Sequence, residues 1–243
     1  CAGCPAATVA WQRTQQCGPS RHNDHVGELI LEVVPFGIGV FASPLPVILA
    51  ILMLFTQRPR ITSLVYIGTW LAGVAAVTVL FALLAGVLEG RDSSPGWLPW
   101  VRVALGAALI LLALKQWRNR ASKEAPSYLT TIMDCGPREA TRYGVIMSAA
   151  NPKELLMALP AGLAIGSSEA GVSAQVGALL VFLVIGGASV ALPLTVFLIG
   201  GGEASLERLT VARDWLQRNN AAVTAVVLGV IGLWLLVGGL LKL

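Results

Sequence analysis

Six long apolar runs, separated by short connections that carry most of the charge, constrain the fold of this chain more than any other feature. The chain is 56% hydrophobic and 12% charged, whereas a soluble globular domain carries about 25% charged residues. A membrane-spanning helix needs ~20 mostly apolar residues. The pattern therefore predicts an all-α integral membrane protein with six transmembrane helices. The predicted spans are 29–56, 61–88, 97–114, 143–165, 172–199 and 221–241.

The connections are too short to form a separate soluble domain of useful size, so the sequence predicts one transmembrane domain over residues 29–243. Residues 29–114 hold the first three spans and residues 143–243 hold the last three. A basic cytoplasmic connection, 115–142, joins these two halves. Its charge is typical of anchoring on the cytoplasmic side, and the alternative is binding of anionic lipid head groups.

The distribution of lysine and arginine predicts the orientation of the spans, because cytoplasmic loops are enriched in both. The connections after spans one, three and five hold eleven of these residues, whereas the opposite side holds five, with Lys153 left out because it lies within a span. We therefore expect a multi-pass plasma-membrane protein with both termini outside. The eleven residues are Arg58, Arg60, Lys115, Arg118, Arg120, Lys123, Arg138, Arg142, Arg208, Arg213 and Arg218.

Span four carries a motif that a simple membrane anchor would avoid, Asn151-Pro152-Lys153 followed by Glu154. Proline removes a backbone donor and kinks or breaks a helix. A lysine near the bilayer centre costs roughly 2.5–3.5 kcal/mol on insertion scales. Together they predict a broken helix that lines a polar cavity. Two simpler interpretations stay open: Lys153 could reach the interface with its long side chain, and Asn151 could form an interhelical hydrogen bond.

Span one contains a related break, because Ser43-Pro44-Leu45-Pro46 also places a small polar residue before a proline in an apolar run. With three spans per half, equivalent halves form two inverted three-helix repeats. Interrupted segments in corresponding positions of such repeats indicate a transporter site at the repeat interface. A purely structural proline kink is the alternative. The predicted substrate-binding residues are Ser43, Pro44, Pro46, Asn151, Pro152 and Lys153, with Glu32 and Glu154 as candidate charge partners.

Several short stretches together carry a family resemblance. They are residues 34–39, Ser43-Pro44-Leu45-Pro46, residues 68–73, residues 114–118, Asn151-Pro152-Lys153, residues 214–216 and Asn219-Asn220. Over about residues 26–241 the chain resembles the GAP-like peptidoglycolipid- and sulfolipid-addressing proteins of actinobacteria, a branch of the lysine-exporter superfamily. The family usually follows the Asn-Pro-Lys motif with asparagine, where this chain has Glu154. The resemblance implies a factor that exports or addresses envelope glycolipids, within a superfamily that exports amino acids and other small solutes.

Residues 1–28 are polar and are expected to be disordered or to lie upstream of a native start near Val26. Their cysteines and histidines follow a spacing that superficially suits zinc, but we expect no metal site, because the segment is predicted outside the cell, where thiols oxidise. Thiol transfer by cysteines in spans one and four is not expected either, since both spans lack cysteine. The cysteines and histidines concerned are Cys1, Cys4, Cys17, His22 and His25.

No catalytic dyad, triad or nucleotide-binding loop is visible in the sequence, so we expect neither an enzyme nor a bound cofactor. The first function hypothesis is a transporter or export factor for a cell-envelope glycolipid or related amphiphile. The alternatives are a small-solute exporter for an amino acid or cation, and a non-transporting scaffold in an envelope-lipid assembly complex. The expected partners are membrane lipids, the substrate, and a second copy of the chain or an export machinery, but no nucleic acid. Residues 206–218 are predicted as a membrane-surface helix before span six.

Overall fold

The computed structural model describes residues 20–88, 98–118, 135–168 and 170–241, and these form eight α-helices and no strand. The all-α prediction is therefore confirmed. The predicted N-terminal segment as far as residue 19, with its three cysteines, lies outside the described part, as does most of the basic connection. The helices are α1 (Ser20–Phe41), α2 (Pro44–Met53), α3 (Pro59–Leu88), α4 (Leu98–Arg118), α5 (Pro137–Ala149), α6 (Pro152–Gly166), α7 (Val172–Ile199) and α8 (Glu203–Leu240).

Three helices, α3, α7 and α8, are long and apolar enough to cross a membrane, and α1 with α2 makes a fourth span if that bent pair counts as one. Many large apolar side chains on these helices are exposed, among them Leu83, Val184 and Val230. Such a surface would favour association in water but suits contact with lipid tails. The helices are therefore compatible with a multi-pass membrane protein.

The structure confirms both predicted helix breaks. The first separates α1 from α2 with a bend of 54°, and the second separates α5 from α6 at Asn151. Proline opens the helix after each break, at Pro44 and Pro152. The first helical position tolerates proline because its missing N–H would have no helical partner there. Pro59 and Pro137 begin α3 and α5 in the same way.

Each break lies beside the middle of a long helix. Gly186, at the centre of α7, lies so close to α1 that a Cβ atom there would be 2.7 Å from Cγ1 of Val40. Gly73, at the centre of α3, faces the side chain of Ser148, just before the second break. Small residues allow this close approach of helices. Each break therefore packs against the middle of a long helix.

Helix α2 is the most enclosed element that the structure describes. Eight of its ten residues are buried, and it packs against α3, α7 and α8. The hydroxyl of Tyr66 on α3 donates to the carbonyl of Pro46 at 3.1 Å, and the ring of Phe55, just beyond α2, lies 5.9 Å from the Arg213 guanidinium on α8. The second part of the predicted first span is therefore surrounded by protein.

Helix α8 differs from the prediction of a surface helix followed by a separate span. It runs without interruption for 38 residues, about 57 Å at 1.5 Å per residue. No glycine or proline occurs between Glu203 and Leu228 to stop it. The break falls before the helix instead: Gly201 has a φ of 83°, and the N–H of Gly202 bonds to the carbonyl of Phe197 at 3.0 Å, as in a Schellman C-cap.

Candidate functional site

The two helix breaks meet at one cavity of about 240 Å³. It brings together five of the six predicted substrate-binding residues. These residues come from both halves of the chain, and the two groups are more than 100 positions apart in the sequence. The five are Ser43, Pro44, Asn151, Pro152 and Lys153. A larger groove of about 710 Å³ lies elsewhere and shares no lining residue with this cavity. The smaller cavity is the candidate site because the predicted residues converge on it.

Lys153 joins the two breaks directly. The residue is 8% exposed, and its Nζ donates a hydrogen bond to the carbonyl oxygen of Ala42 at 2.9 Å. In a continuous helix that carbonyl would accept from the N–H four residues later, but residue 46 is a proline and has none. The second half of the chain therefore satisfies a carbonyl that the first half leaves free. Pro46 does not line the cavity, but it frees the carbonyl that Lys153 binds.

Glu154 lies beside this contact and is almost completely buried, with a residue exposure of 1%. The Ser43 hydroxyl faces its carboxylate, but the geometry falls short of a full hydrogen bond, so neither carboxylate oxygen has a well-formed partner. The positive charge of Lys153 is its electrostatic partner. Burying a charge without compensation is costly, so the nearby positive charge of Lys153 favours the carboxylate, although no direct ion pair joins the two side chains in the described structure.

Asn151 performs two roles at the second break. Its Oδ1 accepts from the backbone N–H of Lys153 at 3.2 Å and so caps α6. Its Nδ2 is buried and has no hydrogen-bond partner, although the residue lines the cavity. Ser43 holds the matching position before α2 but makes no side-chain cap. Asn151 therefore borders the cavity and carries a buried amide donor that has no partner in the described structure.

We expect Asn151→Ala to lower the free energy of unfolding by about 1 kcal/mol, the usual cost of losing an N-cap. Asn151→Ser is the matched control, because serine caps a helix about as well as asparagine but offers no amide donor. Denaturant titration in detergent micelles would measure the difference. Equal stability of the alanine and serine variants would contradict the capping role.

The sequence did not reveal four polar residues that complete the cavity. Lys115 and Gln116 come from the end of α4, and Asn220 and Thr224 come from the middle of α8. They lie at the ends of predicted spans, so the pattern marked them only as span boundaries. The stretches that carry the family resemblance include three of them, residues 115, 116 and 220. The resemblance could therefore have indicated these three as candidate site residues.

The structure places the other candidate residues away from the cavity. Glu32 lines a separate small cavity beside Phe36 and Trp234, whose rings meet edge to face at a centroid distance of 5.6 Å. Glu32 therefore does not join Lys153, and Glu154 is the carboxylate beside that lysine. Cys135 is buried before α5. Its burial, with a smaller contribution from Glu139, raises the pKa of the thiol and so disfavours the reactive thiolate.

The lining of the cavity combines polar and apolar side chains. Lys153, Lys115 and Asn151 supply polar surface, while Leu45, Leu112, Leu156 and Leu228 add apolar surface. Such a lining suits a ligand with a polar, oxygen-rich part and an apolar part. Within the described ranges, no group of histidine, cysteine and acidic side chains could hold a metal ion.

Comparison with known proteins gives one assignment. No curated protein and no solved structure matches the chain. Residues 33–241 match the family model described as Sap, sulfolipid-1-addressing protein. The match covers most of the chain and every residue that lines the cavity, and it confirms the resemblance to sulfolipid-addressing proteins that the sequence motifs indicated. This chain belongs to the sulfolipid-1-addressing protein family.

Proposed function

We propose that this protein is a plasma-membrane export factor for a cell-envelope glycolipid or related amphiphile, and that the cavity at the two breaks binds the polar head group. The observation that carries the proposal is the convergence of both helix breaks on one cavity whose lining includes buried polar side chains. The family description, which names sulfolipid addressing, supports an envelope lipid as the cargo. The proposed activity is transport without covalent chemistry.

The proposed architecture is six spans arranged as two inverted three-helix repeats, with both termini outside. In this arrangement α1–α2 corresponds to α5–α6, α3 to α7, and α4 to α8. The packing supports this arrangement. Helix α1 packs on α7 in the first pair, and the corresponding helices α5 and α3 pack on each other in the second. Helix α4 packs on α8, and exchanging the two repeats turns this pair into itself. The position of each break beside the middle of its long neighbour fits the same symmetry.

The size and opening of the cavity favour a head group over a whole lipid. About 240 Å³ holds a small polar group, whereas pockets that enclose a drug-sized ligand run from ~300 to 1,000 Å³. In the described part of the chain the cavity reaches the surface at three exposed residues, Leu112, Lys115 and Pro152. A lipid could therefore insert its head group while its tails stay outside. A head-group oxygen that reached the buried, unpartnered Asn151 amide would accept a hydrogen bond from it.

The same volume also supports the second candidate function, export of a small solute such as an amino acid. Its discriminating feature is the opening: a small solute needs a route along the bundle axis, whereas an amphiphile needs a lateral one. A non-transporting scaffold would need no ligand in the cavity.

The test is lipid and metabolite profiling of a strain that lacks the gene, complemented with wild type, Asn151→Ala or Asn151→Ser. We expect loss of a surface glycolipid in the deletion strain, restoration by wild type, and poor restoration by both variants, because neither retains the amide donor. Protein amounts in the membrane must be equal for the comparison to count.

Each outcome separates the hypotheses. Unchanged surface lipids with accumulation of an intracellular amino acid would favour the small-solute exporter. Full complementation by both variants would remove the cavity from the mechanism and favour the scaffold.

A further inference from the structure

A second cavity is a groove at one end of the bundle, apart from the helix breaks. Its volume is about 710 Å³, and it is formed where α3 begins and where α7 turns into α8. The residues that line it are Arg58, Pro59, Arg60, Ile61, Phe197, Leu198, Gly201 and Gly202. The proposed function assigns nothing to this groove.

The two arginines of the groove are in an electrostatically unfavourable position. The Arg58 carbonyl accepts from the N–H of Thr62 at 3.0 Å, so Arg58 lies just before the first turn of α3. That turn contains no acidic residue, and the partial positive charge of a helix N-terminus disfavours cations. No ion pair links Arg58 or Arg60 to a carboxylate in the parts that the structure describes. An anion bound between them would relieve this repulsion.

The rest of the groove is apolar and open. Ile61 and Leu198 are each about half exposed, and Phe197 forms a buried wall behind them. On the other side the turn between α7 and α8 presents Gly201 and Gly202, around which a Cβ atom would meet nothing within 4 Å. The groove therefore places unpaired positive charge next to exposed apolar side chains.

We propose that this groove is a binding site for an anionic phospholipid of the surrounding bilayer. The lipid phosphate binds Arg58 and Arg60, where arginine can hold two oxygens at once, and an acyl chain lies along Ile61 and Leu198. A free phosphate would use the arginines but leave the apolar wall uncovered, so the shape of the site favours the lipid. The site is separate from the head-group cavity and does not depend on its function.

The test is native mass spectrometry of the full chain, released from nanodiscs of phosphatidylcholine alone or phosphatidylcholine mixed with phosphatidylglycerol. We expect preferential retention of phosphatidylglycerol by wild type. The double variant Arg58→Gln/Arg60→Gln should weaken phosphatidylglycerol binding about 5-fold per arginine, and so on the order of 25-fold, since each basic residue contributes to binding at an anionic surface. Binding of phosphatidylcholine should not change.

The matched control is Arg138→Gln/Arg142→Gln, which removes the same charge from two exposed arginines of α5. It should retain the preference for phosphatidylglycerol within about 2-fold. Equal loss in both double variants would overturn the site in favour of a general charge effect, and retention by the groove variant would overturn it outright. Inorganic phosphate should not displace the lipid; if it does, the groove is a small-anion site and the lipid proposal fails.

Discussion

Lys153→Met should destabilise the protein by about 3–5 kcal/mol, because it removes the positive charge nearest a fully buried carboxylate. Two groups would be left without compensation: the Ala42 carbonyl, which loses its only side-chain donor at 2.9 Å, and the buried Glu154 carboxylate. Denaturant titration in detergent micelles would measure the loss of stability. Under the export proposal, surface glycolipid should also be lost, because the cavity would have no buried amine.

The double variant Lys153→Met/Glu154→Gln separates stability from function. Removing both charges of a buried pair is far less costly than removing one, so at least half of the lost stability should return. Export should not return, because the double variant also lacks the amine. If the double variant is as unstable as Lys153→Met, the two side chains are not energetically coupled. If it exports normally, Lys153 is structural only.

Gly106→Ala should cost about 1–3 kcal/mol or more, because it overpacks the contact between α4 and α8. An added Cβ atom would lie 2.7 Å from the backbone N of Leu236 and 2.8 Å from the backbone O of Gly232. Backbone atoms cannot rotate away as a side chain can, so the two helices must separate. Since α4 and α8 both line the cavity, the cavity should widen at the same time.

Gly229→Ala is the matched control on the same pair of helices. A Cβ atom there would meet the Cβ of Ala113 at 3.8 Å, an ordinary van der Waals distance. The free energy of unfolding of Gly229→Ala should lie within about 0.5 kcal/mol of the wild-type value. That of Gly106→Ala should fall outside this range. Thermal unfolding and cysteine crosslinking between α4 and α8 would test both. Equal behaviour of the two variants would show that the helices can move apart without cost.

The helix breaks could be predicted from the sequence because their signals are local. A proline after a small polar residue changes which backbone groups can bond, whatever surrounds it. The pairing of Ser43 with Asn151 in one cavity followed from the mirrored order of the motifs. The exchange by which Lys153 satisfies the carbonyl that Pro46 frees required coordinates, because it joins residues 111 positions apart.

The remaining features depend on packing that hydropathy does not record. The apolar stretch of α2 has the same composition whether lipid or protein surrounds it, so its burial was invisible in the sequence. The contributions of Lys115 and Thr224 to the cavity depend on how α4 lies against α8. The sequence pattern predicted two helices where α8 is continuous, because the first half of α8 is polar. A polar stretch is typical of a span boundary, but no residue there interrupts the helix.

The enclosure of α2 has a consequence for the biogenesis of the protein. During synthesis the ribosome delivers α2 well before α7 and α8, the helices that cover most of it. A segment of ten residues is too short to be inserted as a stable independent span. Until its later neighbours emerge, α2 must rest in lipid or against the insertion machinery. Assembly of this bundle therefore ends with the closure of the C-terminal helices around a segment that was made early.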